Sequence, residues 1–191
     1  MGMTVNRRKD TKTPKVLMHK VADIRGGVSV NVSELGGDYL REGAILSAPV
    51  DGICHVVKIA VVVADVAAAD NTIKVEKFHN FKEGDFVMLD VNSAAVKISS
   101  IDDSNKAYDT LTVATALGAI SKGAQVVEAA AASTAEAKTS ALKYVPLAVV
   151  GTGKRIEPKT NLDTDAWVIA VTKGNPVPEC VAKHLKCIVN Y

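Results

Sequence analysis

The chain has 191 residues, of which 48% are hydrophobic but only 4% aromatic, and its formal net charge is +2. This length accommodates one large or two small domains, either of which can bury a core. The longest apolar run, from Ile59, carries Asp65 and is too short for a membrane span, and no apolar segment near the N-terminus predicts a signal peptide. The three cysteines have unrelated spacings, which favours reduced thiols over disulfides. We therefore expect a soluble protein made inside a cell.

The first 15 residues form a basic segment that is almost entirely polar. Six of the 23 Lys/Arg residues, but only one of the 21 Asp/Glu residues, lie within residues 1–20. Because such a segment has too little apolar surface to join a core, we predict a flexible arm over residues 1–15. Arg7, Arg8 and Lys9 are its candidate partner-binding residues. Clustered basic side chains can also contact phosphates, but without interleaved aromatic residues nucleic acid is the weaker alternative.

Residues 16–70 are predicted to contain short strands separated by glycine turns. Valine and alanine dominate the apolar residues of the chain, and β-branched valine favours strands. The run from Ile53 to Val66 is apolar on both faces, which is typical of a strand that is covered on both sides.

Residues 71–130 show the clearest strand pattern. Five segments with alternating or continuous apolar residues are separated by turn residues. Five strands are too few for two full sheets, so we predict one bent sheet that closes as a small five-stranded β-barrel. The predicted strands are 72–76, 86–91, 96–101, 109–114 and 124–129.

All three phenylalanines of the chain occur in one stretch, FHNFKEGDF (78–86). We predict that their rings converge on one end of the barrel and fill volume that valine and alanine cannot fill. A ligand platform is the alternative, because paired aromatic rings also form stacking surfaces. His79 is predicted to lie at the rim of this core rather than to act as a ligand or a base.

Residues 131–142 are an alanine-rich linker that could form a helix, although no apolar stripe is present to dock it. Residues 143–191 contain two predicted strands, 144–150 and 166–171, and a last strand near the C-terminus. Trp167, the only tryptophan, is predicted to be buried, and a role as the anchor of a subunit contact is the second choice. Since neither flank of the barrel has enough strands for a core, we predict one discontinuous β-rich base formed by residues 16–70 and 143–191. The predicted class is all-β.

No motif predicts catalysis, a cofactor or a metal. GTGKR (151–155) lacks the glycine spacing and the hydroxyl residue of a phosphate-binding loop. NLDTDA (161–166) lacks the glycine that a calcium loop requires at its sixth position. Cys180, His184 and Cys187 would share one face of a helix, but the segment is short and bounded by proline, which disfavours a zinc site.

Three stretches of the sequence resemble phage head fibre and capsid decoration proteins. GGDYLREGAILSAPVDG (36–52) resembles the opening of the β-rich base that lies on the shell. Residues 81–129 are similar to small β-modules of phage structural proteins, with a Phe-x-x-Gly-Asp strand and a Leu-Thr-Val strand. PLAVVGTGKRIEPKTNLDTDAWVIAV (146–171) resembles the C-terminal part of head fibre proteins.

The resemblance implies a non-catalytic structural protein that is made in the host cytoplasm and attached to the capsid surface of a virion. It also implies the major capsid protein as partner and a homo-trimer as the assembly, because such proteins commonly occupy three-fold positions. Two alternatives from other classes stay open. One is a bacterial carbohydrate- or protein-binding β-module, and the other is a small nucleic-acid-binding barrel, which the basic arm and the KEGD turn (82–85) favour.

Overall fold

The computed structural model describes residues 15–135, 137, 139–157 and 160–191. The predicted all-β class is confirmed, since the described residues form sixteen strands and one short helix. The elements are β1 (Leu17–Asp23), β2 (Val28–Val30), β3 (Tyr39–Leu40), β4 (Ile45–Ser47), β5 (Val56–Val57), β6 (Ile59–Val61), β7 (Thr72–Val75), β8 (Phe86–Met88), β9 (Ala95–Asp102), β10 (Asp109–Val113), β11 (Gln125–Ala129), β12 (Pro146–Val150), β13 (Lys154–Arg155), β14 (Leu162–Thr164), β15 (Ala166–Thr172), α1 (Glu179–Ala182) and β16 (Ile188–Asn190).

The first sheet combines strands from both ends of the described chain. Its order is β1-β15-β12-β4-β5, and β16 lies parallel to β15 while the other pairs are antiparallel. Two short ribbons, β3–β13 and β2–β14, also join an early strand to a late one. Residues 17–57 and 146–190 therefore depend on each other for their backbone hydrogen bonds.

The second sheet has six antiparallel strands in the order β6-β11-β8-β9-β10-β7. The prediction of a closed barrel with five strands is therefore wrong, because the sheet has six strands. In its strand order, β6 and β7 lie at the two ends. Its first and last strands meet at a bridge between Val62 and Val75, which is flanked by two backbone hydrogen bonds of 2.9 Å, from the Val63 N–H to the Lys74 carbonyl and from the Glu76 N–H to the Val61 carbonyl.

The sixth strand comes from the apolar run that the sequence predicted to be one strand of the base. This run divides at Lys58, because Val57 pairs with Ile45 in the first sheet while Ile59 pairs with Val127 in the second. The segment is covered on both sides, as expected, but it crosses from one sheet to the other.

Three clusters of buried apolar side chains form the core. The second cluster contains Ile45 and Val149 from the first sheet together with Met88 and Val127 from the second sheet. Because this cluster belongs to both sheets, the division of the chain into a base and an inserted module stays a prediction.

The described residues of the alanine-rich linker are not helical, so the helical alternative is wrong for them. The segment instead folds back on itself, with a bridge between Ala129 and Leu142 and a hydrogen bond of 2.9 Å from the Ala130 N–H to the Ala141 carbonyl. The Ala137 N–H donates to the Thr134 hydroxyl at 2.9 Å. Side-chain hydroxyls that bond the nearby backbone compete with helix formation, which explains the difference.

Candidate functional site

The most unusual buried group in the molecule is the amine of Lys58, whose side chain is 0% exposed. Its Nζ atom lies 2.6 Å from Oδ2 of Asp85 and 3.2 Å from Oε1 of Glu128, whose side chain is 1% exposed. We call these three residues the Lys58 cluster. Burial of a lone ammonium is very unfavourable, so the two carboxyl groups are needed to stabilise it there.

Local structure fixes each member of the Lys58 cluster. Lys58 lies at the crossing between β5 and β6, and its carbonyl accepts a hydrogen bond from the Glu128 N–H at 3.0 Å. Asp85 ends the KEGD turn, where its Oδ2 also accepts from the Lys82 N–H at 2.8 Å. The Lys58 amine therefore contacts two carboxyl groups. One belongs to Glu128, whose backbone N–H is bonded to the Lys58 carbonyl, and the other belongs to Asp85, whose bond from the Lys82 N–H stabilises the KEGD turn.

A chain of polar contacts connects the Lys58 cluster to the surface. Lys143 Nζ lies 2.8 Å from Glu128 Oε1 and 3.4 Å from Glu34 Oε2. Glu34 also pairs with His55 and accepts a hydrogen bond of 2.6 Å from the Tyr144 hydroxyl. The His55 and Tyr144 rings are stacked, with centroids 4.2 Å apart. The Glu34 carboxylate, at the outer end of the network, is therefore paired with Lys143, His55 and Tyr144.

The two glutamates of this network have opposite pKa shifts. Burial raises the pKa of Glu128 above its ordinary value, although Lys58 and Lys143 oppose that change. Burial would also raise the pKa of Glu34, but its hydrogen bonds with Tyr144 and His55 hold that pKa below its ordinary value. Oε2 of Glu128 is buried and has no hydrogen-bond partner among the described residues. Of the two glutamates, Glu128 is thus the one that more readily holds a proton.

A second candidate site is a cleft of about 220 Å³ between residues 36–39 and 77–81. Asp103 and Asp109 contribute carboxyl groups to its wall. Phe78 and Asn80 both have left-handed backbone conformations, with φ of 66° and 59°. Two non-glycine residues with a left-handed φ within three positions raise the free energy of the folded state, and backbone strain of this kind is often found at binding sites.

His79 lies between these two strained residues, and both of its ring nitrogens are engaged. Nδ1 accepts a hydrogen bond of 3.0 Å from the Phe81 N–H, and Nε2 lies 3.3 Å from Oδ2 of Asp109. Burial lowers the pKa of His79, although Asp109 opposes that shift. A second proton would also displace the Phe81 N–H from Nδ1. His79 is therefore a neutral structural residue at the edge of the cleft and has no nitrogen available to act as a base.

We expect the neutral state of His79 to make stability depend on pH. An unfolded histidine binds a proton below a pH of about 6.5, whereas folded His79 resists protonation until a lower pH. The unfolded chain then binds more protons, so the free energy of unfolding is highest above that pH and decreases as the pH falls through the lowered pKa of His79. Urea denaturation between pH 5 and pH 8 should show a smaller decrease for His79→Gln. Identical pH profiles for the two proteins would contradict this assignment.

The three phenylalanine rings do not form one cluster, so their predicted convergence is wrong. Phe81 is buried in the third apolar cluster, Phe86 packs against the second, and Phe78 faces Tyr39 edge-on with centroids 6.2 Å apart. The backbone reversal at Phe78 and Asn80 turns successive side chains in different directions, which the spacing of the rings in the sequence could not reveal.

Of the four candidate partner residues, the structure describes only Trp167. Arg7, Arg8 and Lys9 lie outside the described residues. Trp167 is partly buried against the second cluster, and its Nε1–H donates to Asp165 Oδ2 at 2.8 Å. Lys20 Nζ lies 5.3 Å from the centre of the tryptophan ring. A subunit contact through Trp167 stays a prediction.

Exposed apolar side chains are concentrated at one edge of the first sheet. Five of the eight large apolar side chains that are exposed among the described residues lie on β1, β15 and β16 or directly after β16. We call this surface the β1–β15–β16 face. Exposed apolar side chains that are concentrated on neighbouring strands can mark a contact with another macromolecule. The five side chains are Met18, Val21, Ile169, Val189 and Tyr191.

The cysteines and histidines do not converge on a metal site in the described part of the chain. Helix α1 ends at Ala182, so Cys180, His184 and Cys187 do not share a helical face. Cys180 is buried while Cys187 is exposed.

No protein-family model, curated protein sequence or solved structure matches this chain. Within the described ranges, no helix has the length and apolar character that crossing a membrane requires.

Proposed function

We propose that this chain is a non-catalytic phage structural protein, a head fibre or capsid decoration protein that attaches to the capsid surface through its β1–β15–β16 face. The observation that carries the proposal is the concentration of exposed apolar side chains on three adjacent strands. A second observation supports it, because β1 begins at Leu17, directly after the basic residues of the predicted arm. The arm and the face are thus close enough in the chain to contact one partner.

The proposed partner is the major capsid protein, and the proposed assembly is a homo-trimer. An apolar face beside a basic arm suits a partner surface that combines apolar and acidic residues. The Lys58 cluster adds no reactive site to the surface, since its side chains are buried. Light scattering should give three times the chain mass of 20.1 kDa, and a monomeric mass would contradict the trimer.

We expect Val21→Asp and Val189→Asp each to weaken binding to assembled capsid shells by about tenfold or more. The two side chains are 60% and 58% exposed, so a charge there is tolerated by the fold but not by an apolar contact. Val145→Asp is the matched control, because Val145 is also 60% exposed but lies outside the face. The measurement is co-sedimentation with shells of the major capsid protein.

Equal retention of the two face variants and the control would overturn the proposed attachment surface. In the same assay, replacement of Arg7, Arg8 and Lys9 by glutamine tests the arm. We expect the wild-type chain to lose more affinity with added salt than this variant does, because charged contacts are screened. An unchanged salt dependence would eliminate the arm from the interface.

The cleft favours a second candidate function, that of a carbohydrate-binding module. It combines an aromatic ring, Phe78, with the exposed acidic residue Asp103 in a concave volume of about 220 Å³, while the carboxyl group of Asp109 is already engaged by Lys77 and His79. An aromatic ring can pack against the C–H face of a sugar while carboxyl groups accept hydrogen bonds from its hydroxyls. Saturable binding of a monosaccharide together with no binding to capsid shells would favour this alternative.

A further inference from the structure

We propose that Lys58 and Asp85 join through a spontaneous isopeptide bond, with Glu128 as the group that transfers the protons. The Lys58 amine and the Asp85 carboxyl group are in direct contact, with 2.6 Å between Nζ and Oδ2, and Glu128 Oε1 lies 3.2 Å from the same nitrogen. An amine, an acceptor carboxyl group and a second carboxyl group are what this condensation requires. The inference does not depend on the proposed capsid attachment.

The cluster is almost closed to solvent. The side chains of Lys58, Asp85 and Glu128 are 0%, 9% and 1% exposed. Only a neutral amine and a neutral carboxylic acid can condense, so a proton must first pass between these buried side chains. Formation of a neutral amide removes two buried charges, and the fold has already brought the reacting groups together.

Each atom in the step has a source and a destination. Glu128 takes a proton from the Lys58 ammonium and passes it to the Asp85 carboxylate, which gives the neutral amine and acid. The lone pair of Nζ then attacks Cγ of Asp85, and a C–N bond forms. The nitrogen gives up a proton through Glu128 to the departing hydroxyl, the C–O bond breaks, and one water leaves. The sum is ammonium plus carboxylate giving amide plus water, with no oxidation or reduction.

Two features of Glu128 suit this role. Its Oε2 atom is buried and unpartnered in the described part of the molecule, so it is available to carry a proton. Burial also raises the pKa of Glu128, which lets it exchange a proton more readily than an exposed glutamate would near neutral pH.

A second lysine–aspartate pair in the same molecule lacks the features of the Lys58 cluster. Lys77 and Asp109 also form a close ion pair, but the lysine side chain is 26% exposed and its other polar contact is the carbonyl of Asp103 at 3.0 Å. Among the described residues, the Lys77 amine has no second carboxyl group in contact with it, so no group is placed to carry the protons that the condensation must move. We therefore expect a covalent link at Lys58 and none at Lys77.

The bond would fasten two parts of the fold that are distant in sequence. Lys58 lies where the chain crosses between the sheets, and Asp85 ends the turn before β8. A link between them closes the intervening chain into a covalent loop that survives unfolding, which restricts the unfolded state in the way that a disulfide does.

Intact mass spectrometry of the denatured full-length protein tests the proposal directly. The expected mass is that of the sequence minus one water, about 18 Da. Since Asp51-Gly52 could lose the same mass by cyclisation within one peptide, a tryptic map must decide. The expected product is a branched peptide that joins the segment around residue 58 to the segment around residue 85.

Three variants test which residue supplies the attacking amine and which residue transfers the protons. Lys58→Met and Glu128→Gln should each have the full sequence mass, and Lys143→Met should keep the loss of water, because Lys143 contacts Glu128 without being the attacking amine. A wild-type protein that is folded and has its full sequence mass, with no branched peptide, overturns the proposal whether or not any variant folds. So does a branched peptide that contains residue 143 instead of residue 58.

Discussion

Lys58→Met alone is expected to lower the free energy of unfolding by about 3–5 kcal/mol. The substitution leaves Asp85 and Glu128 buried near each other without the Lys58 nitrogen, which lies 2.6 Å from one and 3.2 Å from the other, and it also removes the proposed bond to Asp85. Methionine has a similar length and fills the volume, so the loss reports on the missing partner of the two carboxyl groups and on the missing covalent link rather than on a cavity. Urea denaturation at pH 7 is the measurement.

The control for this prediction removes the whole cluster. The triple variant Lys58→Met, Asp85→Asn, Glu128→Gln should recover the part of the loss that comes from uncompensated carboxylates, because none remains in the core, but not the part that comes from the missing covalent link. Lys77→Met is the comparison variant, and it should cost less than Lys58→Met, since the Lys77 side chain is 26% exposed and Asp109 keeps its contact with His79. Equal losses for Lys58→Met and Lys77→Met would contradict the assignment of a special buried charge.

Gly36→Ala is expected to be the most damaging small substitution at the cleft. A Cβ atom on Gly36 would overlap the carbonyl oxygen of Phe81, which is a backbone atom and cannot rotate away. The same glycine donates its N–H to the Asn80 carbonyl at 2.9 Å, so the clash would also separate the two loops that line the cleft. We expect a loss of about 3 kcal/mol or more in unfolding free energy.

The neighbouring glycine provides the comparison for Gly36→Ala. Gly37 has a φ of 78° and open space where a Cβ would lie, and asparagine tolerates that conformation better than most residues. Gly37→Asn should therefore cost less than about 1 kcal/mol. If the two variants are equally stable in thermal denaturation, close approach of the loops is not what requires glycine at position 36.

The class of the fold could be predicted because alternation of apolar residues is a local property of the sequence. Segments such as Thr72–Val75 and Asp109–Val113 are strands in the structure, and both alternate inward and outward residues. Strand partners are not local. The division of the apolar run at Lys58 follows from pairing with Ile45 on one side and with Val127 on the other, and the second partner is distant in the chain.

The Lys58 cluster was missed, although the sequence contained a signal for it. Lys58 is the only charged residue between Ile53 and Ala64, and a single lysine inside a run that is otherwise apolar predicts a buried amine that needs a partner. Glu128 follows two valines in a similar way. What the sequence could not supply is that these two residues and Asp85 meet at one point, because that depends on the register of three separate strands and a turn.

The irregular register of β1 has a consequence for how copies of this chain can associate. The pairing of β1 with β15 shifts at three places between Leu17 and Asp23. Shifts of this kind bend a strand and interrupt the regular row of backbone donors and acceptors that another strand would need. Growth by endless edge-to-edge addition of strands is thereby discouraged, and contacts at this edge must be made by side chains, which favours assemblies of limited size.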